Sequence, residues 1–100
     1  MVKENLNSER IIKKIEEKSK DIRKYNVKKI GLFGSYAKNQ QHKKSDIDIV
    51  VEFEKENFDD YMDLLFLLER ILKRKIDLVI GKDLHPGLRY VRKEAKYARL

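Results

Sequence analysis

Residues 32–53, LFGSYAKNQQHKKSDIDIVVEF, constrain this chain more than any other stretch. An apolar run stops at Gly34-Ser35, ten residues follow, and Asp46-Ile47-Asp48 then opens a second apolar run. Successive side chains of a β-strand point to opposite faces, so Asp46 and Asp48 share one face while Ile47 and Ile49 take the other. Carboxylates held side by side repel unless a cation, a proton or water relieves the charge. Hard divalent ions such as Mg²⁺ suit these oxygen ligands and bind through one or two carboxylates plus substrate phosphates. At Gly34-Ser35 a glycine permits close backbone approach and a hydroxyl stands beside it, and both suit a phosphate. The pattern predicts a site for a metal-bound nucleotide.

One hundred residues suffice for one small domain, expected to span 1–100, without a separate substrate-binding domain. The formal net charge is +7, yet the apolar residues fall in periodic blocks, as in a folded protein rather than a disordered basic tail. Cysteine is absent, which excludes disulfides and thiolate metal sites. No apolar run has the length of a membrane span, and MVKENLNSER lacks the apolar stretch of a signal peptide, so the cytoplasm is the expected location. The positive charge would attract nucleotides, RNA or an acidic protein, but solvated helix faces account for most of the 24 basic residues.

Periodicity predicts a helix over 8–25 with Ser8 as N-cap and Ile11, Ile15, Ile22 and Tyr25 on one side. A strand over 28–33 ends at Gly34, a short helix covers 36–41, and a polar loop leads to a second strand over 46–53. Its Ile47, Ile49, Val51 and Phe53 form the buried face; Asp46, Asp48, Val50 and Glu52 form the other. Asp59-Asp60 opens an apolar helix to about Lys73, with acids at its start and bases at its end matching the helix dipole. A third strand covers 75–80. A last helix is expected over 84–98, with Pro86 in its first turn and Leu88, Val91 and Ala95 inward. The expected architecture is α/β (α+β): a small mixed three-stranded sheet with about four helices, in the order α-β-α-β-α-β-α.

Asp77 is the one charge inside the third strand, among Ile76, Leu78, Val79 and Ile80. A strand edge, or an ion pair with Lys75 or Arg74, would explain it structurally. A third strand lying beside the second would instead add Asp77 to Asp46 and Asp48 as a three-carboxylate cage. Such a cage suits phosphoryl or nucleotidyl transfer, with two ions about 3.5–4 Å apart. Asp46 and Asp48 would hold both ions, while Asp77 would bind the one near the attacking hydroxyl and help accept its proton. Ser35 and the amides beginning the short helix would hold the β- and γ-phosphates.

Gly-Ser, ten residues and Asp-x-Asp resemble the signature of the nucleotidyltransferase superfamily that includes DNA polymerase β. LFGSYAKNQQHKKSDIDIVVEF, the apolar helix after it and RKIDLVI resemble more closely the minimal nucleotidyltransferases, the antitoxin halves of prokaryotic HEPN–MNT toxin–antitoxin pairs. The resemblance covers about residues 28–96. It implies a nucleotidyltransferase fold, Gly34 and Ser35 in the nucleotide-binding turn, and Asp46, Asp48 and Asp77 as catalytic, metal-binding acids. It also implies Mg²⁺, two ions being expected, and transfer of AMP from ATP to a tyrosine of a HEPN RNase toxin. The family often has Arg-Ala-Arg-Gly or Tyr-Ala-Arg-Gly after the serine; here Tyr36-Ala37-Lys38-Asn39 stands, with an asparagine that tolerates the left-handed conformation.

Two other readings remain at this level: a binding-only antitoxin, and a nucleotidyltransferase acting on a small molecule such as an aminoglycoside, whose relatives usually carry a further domain. Direct nucleic-acid binding fits least, because the aromatic residues form no stacking platform. His42 has no second ligand at metal spacing and His85-Pro86 marks a helix start. Lys38, Lys43 and Lys44 suit either phosphates or solvent. Tyr61, Met62 and Phe66 widen the apolar face of their helix, which then meets a partner or is buried on two sides.

Overall fold

The structure, a computed structural model, describes residues 6–42 and 45–100; the loop lysines Lys43 and Lys44 lie outside the described residues. Helices α1 (Ser8–Glu17) and α2 (Ser19–Lys24) precede strand β1 (Val27–Phe33) and a four-residue helix α3 (Gly34–Ala37). Strand β2 (Ile47–Phe53), helix α4 (Phe58–Leu72) and strand β3 (Ile76–Ile80) follow. Two 3₁₀ turns (Gly81–Asp83 and Pro86–Leu88), a short helix α5 (Tyr90–Glu94) and a two-residue strand β4 (Lys96–Tyr97) complete the order.

The strands lie in the order β3-β2-β1-β4. β1 is antiparallel to both β2 and β4, whereas β2 and β3 run parallel. A parallel pair needs a crossover, and α4 supplies it. Ile30, Leu32, Ile47, Ile49, Val51 and Leu78 point to the helix side, where Ile11, Ile15, Leu64 and Leu68 close the core. The bulge at Lys28 sets Val27 and Ile30 on the same buried side although they are three apart in sequence.

Asn7, not Ser8, caps the first helix: its Oδ1 accepts from Arg10 N at 2.9 Å. Ser8 is instead buried in the first turn, where its hydroxyl accepts from Lys96 Nζ at 3.1 Å. The expected helix over 8–25 breaks at Lys18, whose amide bonds back to Ile15 while Ile22 N starts a fresh turn on the Lys18 carbonyl. For α4 the cap is Asn57, with Oδ1 accepting from Asp60 N at 2.8 Å. Asn57→Ala is expected to lower stability by about 1 kcal/mol, read as the shift of the urea midpoint.

The C-terminal region departs most from expectation. No helix spans 84–98; among those residues only Tyr90–Glu94 is α-helical, and Ala95 is extended. Leu88 is exposed, not inward, while Val91 is buried. Lys96–Tyr97 adds a fourth strand on β1, so the sheet is four-stranded. The cause is a tertiary contact: Tyr97 packs against Gly31, where a Cβ would stand 2.9 Å from its ring. The Tyr97 hydroxyl donates to the Arg92 carbonyl at 2.6 Å and fastens the segment. Val50, on the side of β2 away from the helices, is buried as well, a consequence of this covering strap.

Candidate active site

β1 delivers the chain into Gly34, which has φ +74°, a conformation natural to glycine. A Cβ at Gly34 would collide with Asp48 Oδ2 and stand 3.0 Å from Asp48 Cγ, so the turn lies directly against that carboxyl. β1–β2 pairing sets Phe33 opposite Asp48. Ser35 is in the first turn of α3, whose N-terminus has no side-chain cap. Asn39 takes φ +54°, as its residue type predicts, and its Oδ1 accepts from Ser8 N at 3.1 Å, tying this loop to α1.

The parallel register pairs Asp48 with Asp77. The two acids are therefore neighbours on the side of the sheet away from the helices. Asp77 does stand on an edge strand, but its nearest charged relation is Asp48. Asp46 lies one residue before β2, exposed, close enough for its charge to act on Asp48. Burial, then the charge of Asp77, the hydrogen bond shared with it and the charge of Asp46 push the Asp48 carboxyl up from 3.8 to about 6.

A carboxyl pushed up by burial and like charge gains from a cation. The oxygen-only donors fit a hard divalent ion. Among the described residues no three acid or imidazole side chains are gathered tightly enough to hold an ion as they stand. Asp48 and Asp77 are the close pair and Asp46 would have to turn inward, as repulsion between bare carboxylates leads one to expect. His42 is exposed in its loop, and His85 Nδ1 accepts from Gly87 N at 3.1 Å as the cap of a 3₁₀ turn.

This electrostatic arrangement has a pH signature. The native Asp48 keeps its proton to about pH 6 whereas the unfolded one loses it near 3.8, so the native state holds more protons between these values. Stability is accordingly expected to fall as pH rises through that window. Thermal melts in EDTA from pH 4 to pH 8 check this, and added Mg²⁺ should raise Tm more at the alkaline end.

Two groups of neighbours were not evident in the sequence. Tyr61 of α4 donates its hydroxyl to the Leu78 carbonyl at 2.6 Å, and burial followed by the Asp77 charge pushes its pKa up, so the phenol holds its proton more tightly. Arg92 Nη2 reaches Glu52 Oε1 at 2.7 Å, holding the C-terminal strap over the far half of the acid-bearing face. Gly31 inside a strand was the available signal for the strap, since such a glycine marks close approach of another group.

The fold is that of a nucleotidyltransferase. The family model described as a nucleotidyltransferase domain matches residues 8–99, and the chain belongs to that family. A Methanocaldococcus jannaschii protein named "Putative protein adenylyltransferase MJ1379" is 49% identical over 79 residues, covering 74% of this chain and 79% of that protein. The solved "Structure of putative minimal nucleotidyltransferase" superposes with a TM-score of 0.78 at 27% identity, over 93% of this chain and 97% of that one. A toxin–antitoxin crystal structure with AMP-PNP matches with a TM-score of 0.64 at 30% identity, over 92% and 72% of the two chains. A complex of tri-AMPylated Shewanella oneidensis HEPN toxin with its MNT antitoxin matches at 0.58 and 25% identity, over 86% and 70%. Among the described residues no helix is long and apolar enough to cross a membrane.

Proposed function

We propose that this nucleotidyltransferase is a Mg²⁺-dependent protein adenylyltransferase that moves AMP from ATP to a tyrosine of a cognate HEPN toxin and so acts as its antitoxin. The observation that carries the reading is the pairing of Asp48 with Asp77 directly against the Gly34 turn. The relatives named as adenylyltransferases and the AMPylated toxin complex support the choice of reaction and of partner. The AMP-PNP complex supports ATP as donor.

Asp46, Asp48 and Asp77 would hold Mg²⁺, which when bound supplies charge neutralisation at the phosphates and at the attacking oxygen. Gly34 lets the triphosphate approach the backbone, and Ser35 with the first amides of α3 orients the β- and γ-phosphates. The tyrosine oxygen forms a bond to the α-phosphorus as the bond to pyrophosphate breaks, and the phenolic proton passes towards Asp77. Pyrophosphate leaves with the charge that the turn has been binding.

Intact mass of the HEPN partner after incubation with the chain, ATP and Mg²⁺ is the test. One or more added AMP groups, abolished by EDTA, is the expected result. A stable complex with no added mass under any divalent ion would mean antitoxin action by binding alone, and transfer to an aminoglycoside would move the acceptor from protein to small molecule.

A further inference from the structure

A cavity of about 550 Å³ opens beside the free edge of β3, outside the paired acids. Phe53, Phe58, Tyr61, Leu78 and Ile80 make its apolar wall, on the side of the sheet opposite to Asp77. Phe58 is 74% exposed, far more than a residue serving only the core would be. Helical spacing puts Met62 and Phe66 on the same stripe as Phe58, and Phe66 is 58% exposed. That answers the question posed by this helix: it is not buried on two sides.

The rim differs in charge from the rest of the molecule. Glu56 and Asp83 line the cavity, and the segment 54–63 that runs beside it carries five acids, Glu54, Glu56, Asp59, Asp60 and Asp63, against one base, Lys55, in a chain of net charge +7. A second hollow of about 190 Å³ continues past Phe53 and Ile80 between Glu52, Glu54 and Glu56. Arg92 occupies Glu52 and Lys82 occupies Glu56, whereas among the described residues no base pairs with Glu54. The Tyr61 hydroxyl already takes the Leu78 carbonyl, so recognition here falls to side chains rather than to an added strand.

We infer that this groove and the Phe58–Phe66 stripe form the docking surface for the protein acceptor, receiving a segment with an apolar anchor followed by lysine or arginine. The anchor fills the apolar cavity and the base meets Glu54. The cavity lies on the α4 side of the sheet and Asp77 on the other, so a segment seated here brings its acceptor hydroxyl to the acids by passing round the free edge of β3. The inference rests on the proposed reaction for its partner, but not on transfer itself.

Calorimetric titration of the HEPN toxin, in the Asp48→Asn background so that no turnover intervenes, tests the surface. Phe58→Asp is expected to raise Kd at least tenfold; the position is exposed and in the first turn of a helix, where aspartate is well tolerated. Phe66→Ser and Glu54→Lys should weaken docking as well, and Glu54→Lys should flatten its salt dependence. With Asp48 intact, binding of AMP-PNP should be unchanged by all three. A Kd within twofold of the parent for folded Phe58→Asp and Phe66→Ser would overturn the inference, as would failure of the parent to bind the toxin. Sedimentation showing that Phe58→Asp dissolves a dimer without altering toxin affinity would assign the stripe to a second copy instead. Groove-dependent docking without AMP transfer by the wild-type chain would remove the proposed reaction and leave the surface standing; transfer with indifferent groove variants would do the reverse.

Discussion

Asp48→Asn is expected to reduce AMP transfer by on the order of 10³-fold, about 4 kcal/mol of barrier, with no loss of stability. Asparagine nearly preserves the shape of the side chain but removes the charge that would hold Mg²⁺. The unusual half of this expectation concerns stability. In the wild-type protein the Asp48 carboxyl is held against Asp77 in a partly buried place, with its proton affinity raised to about 6. At neutral pH that carboxyl is ionised beside a second acid, which opposes folding. An uncharged amide relieves the repulsion and can donate to Asp77, so Tm at pH 7.5 without metal should equal or exceed that of wild type. Mg²⁺ should then raise the variant's Tm less than the parent's. Initial rates of toxin mass gain and paired thermal melts make the test. Transfer within tenfold of wild type would remove Asp48 from the site, and a marked loss of Tm would show that its role is structural.

Gly34→Ala is expected to impair both folding and activity. The left-handed backbone at φ +74° costs an L-residue about 1–2 kcal/mol. The added methyl would also collide with Asp48 Oδ2, so either the turn or the carboxyl has to move. A total of about 2–3 kcal/mol follows, together with loss of transfer, because the displaced group is the paired acid itself. The strain and the site are thus linked through one contact. Asp48→Gly in the Gly34→Ala background should recover part of the stability, through the steric component, without recovering transfer. Urea unfolding of the four proteins of this cycle measures the coupling. Simple additivity of the two substitutions would mean that the contact between Gly34 and Asp48 does not govern the turn.

The first two strands were readable because their signals are local, whereas the helix expected over 8–25 is divided at Lys18 and the one expected over 36–41 lies over Gly34–Ala37. Ile47, Ile49 and Val51 alternate with Asp48, Val50 and Glu52, and the alternation alone places the acids on one face. Asn39 shows the same directness: its side chain tolerates φ +54°, and it adopts it. The region after Ile80 was not readable. Leu88, Val91 and Ala95 have helical spacing, yet a Pro86-Gly87 turn, an extended Ala95 and the seat offered by Gly31 to Tyr97 divide them. That seat lies 66 residues away in sequence, and no window along the chain contains both partners. Val50 was misread for the same reason, since what buries it arrives from the C-terminal strap.

The acid pair, its third member and the glycine turn were therefore set by the sequence, since residue type and a two-residue period suffice to choose them. The conversion of three acids in a chain into a close pair with a third at hand belongs to tertiary structure, through the parallel register of β2 with β3 that α4 makes possible. So does the exposed stripe at Phe58 and Phe66, because an apolar residue on a helix is core or surface only once its neighbours are in place. Local steric preferences act within a few residues of chain. Which surfaces end up buried depends on long-range packing, and that packing decided where the paired acids stand and which apolar side chains of α4 stay exposed.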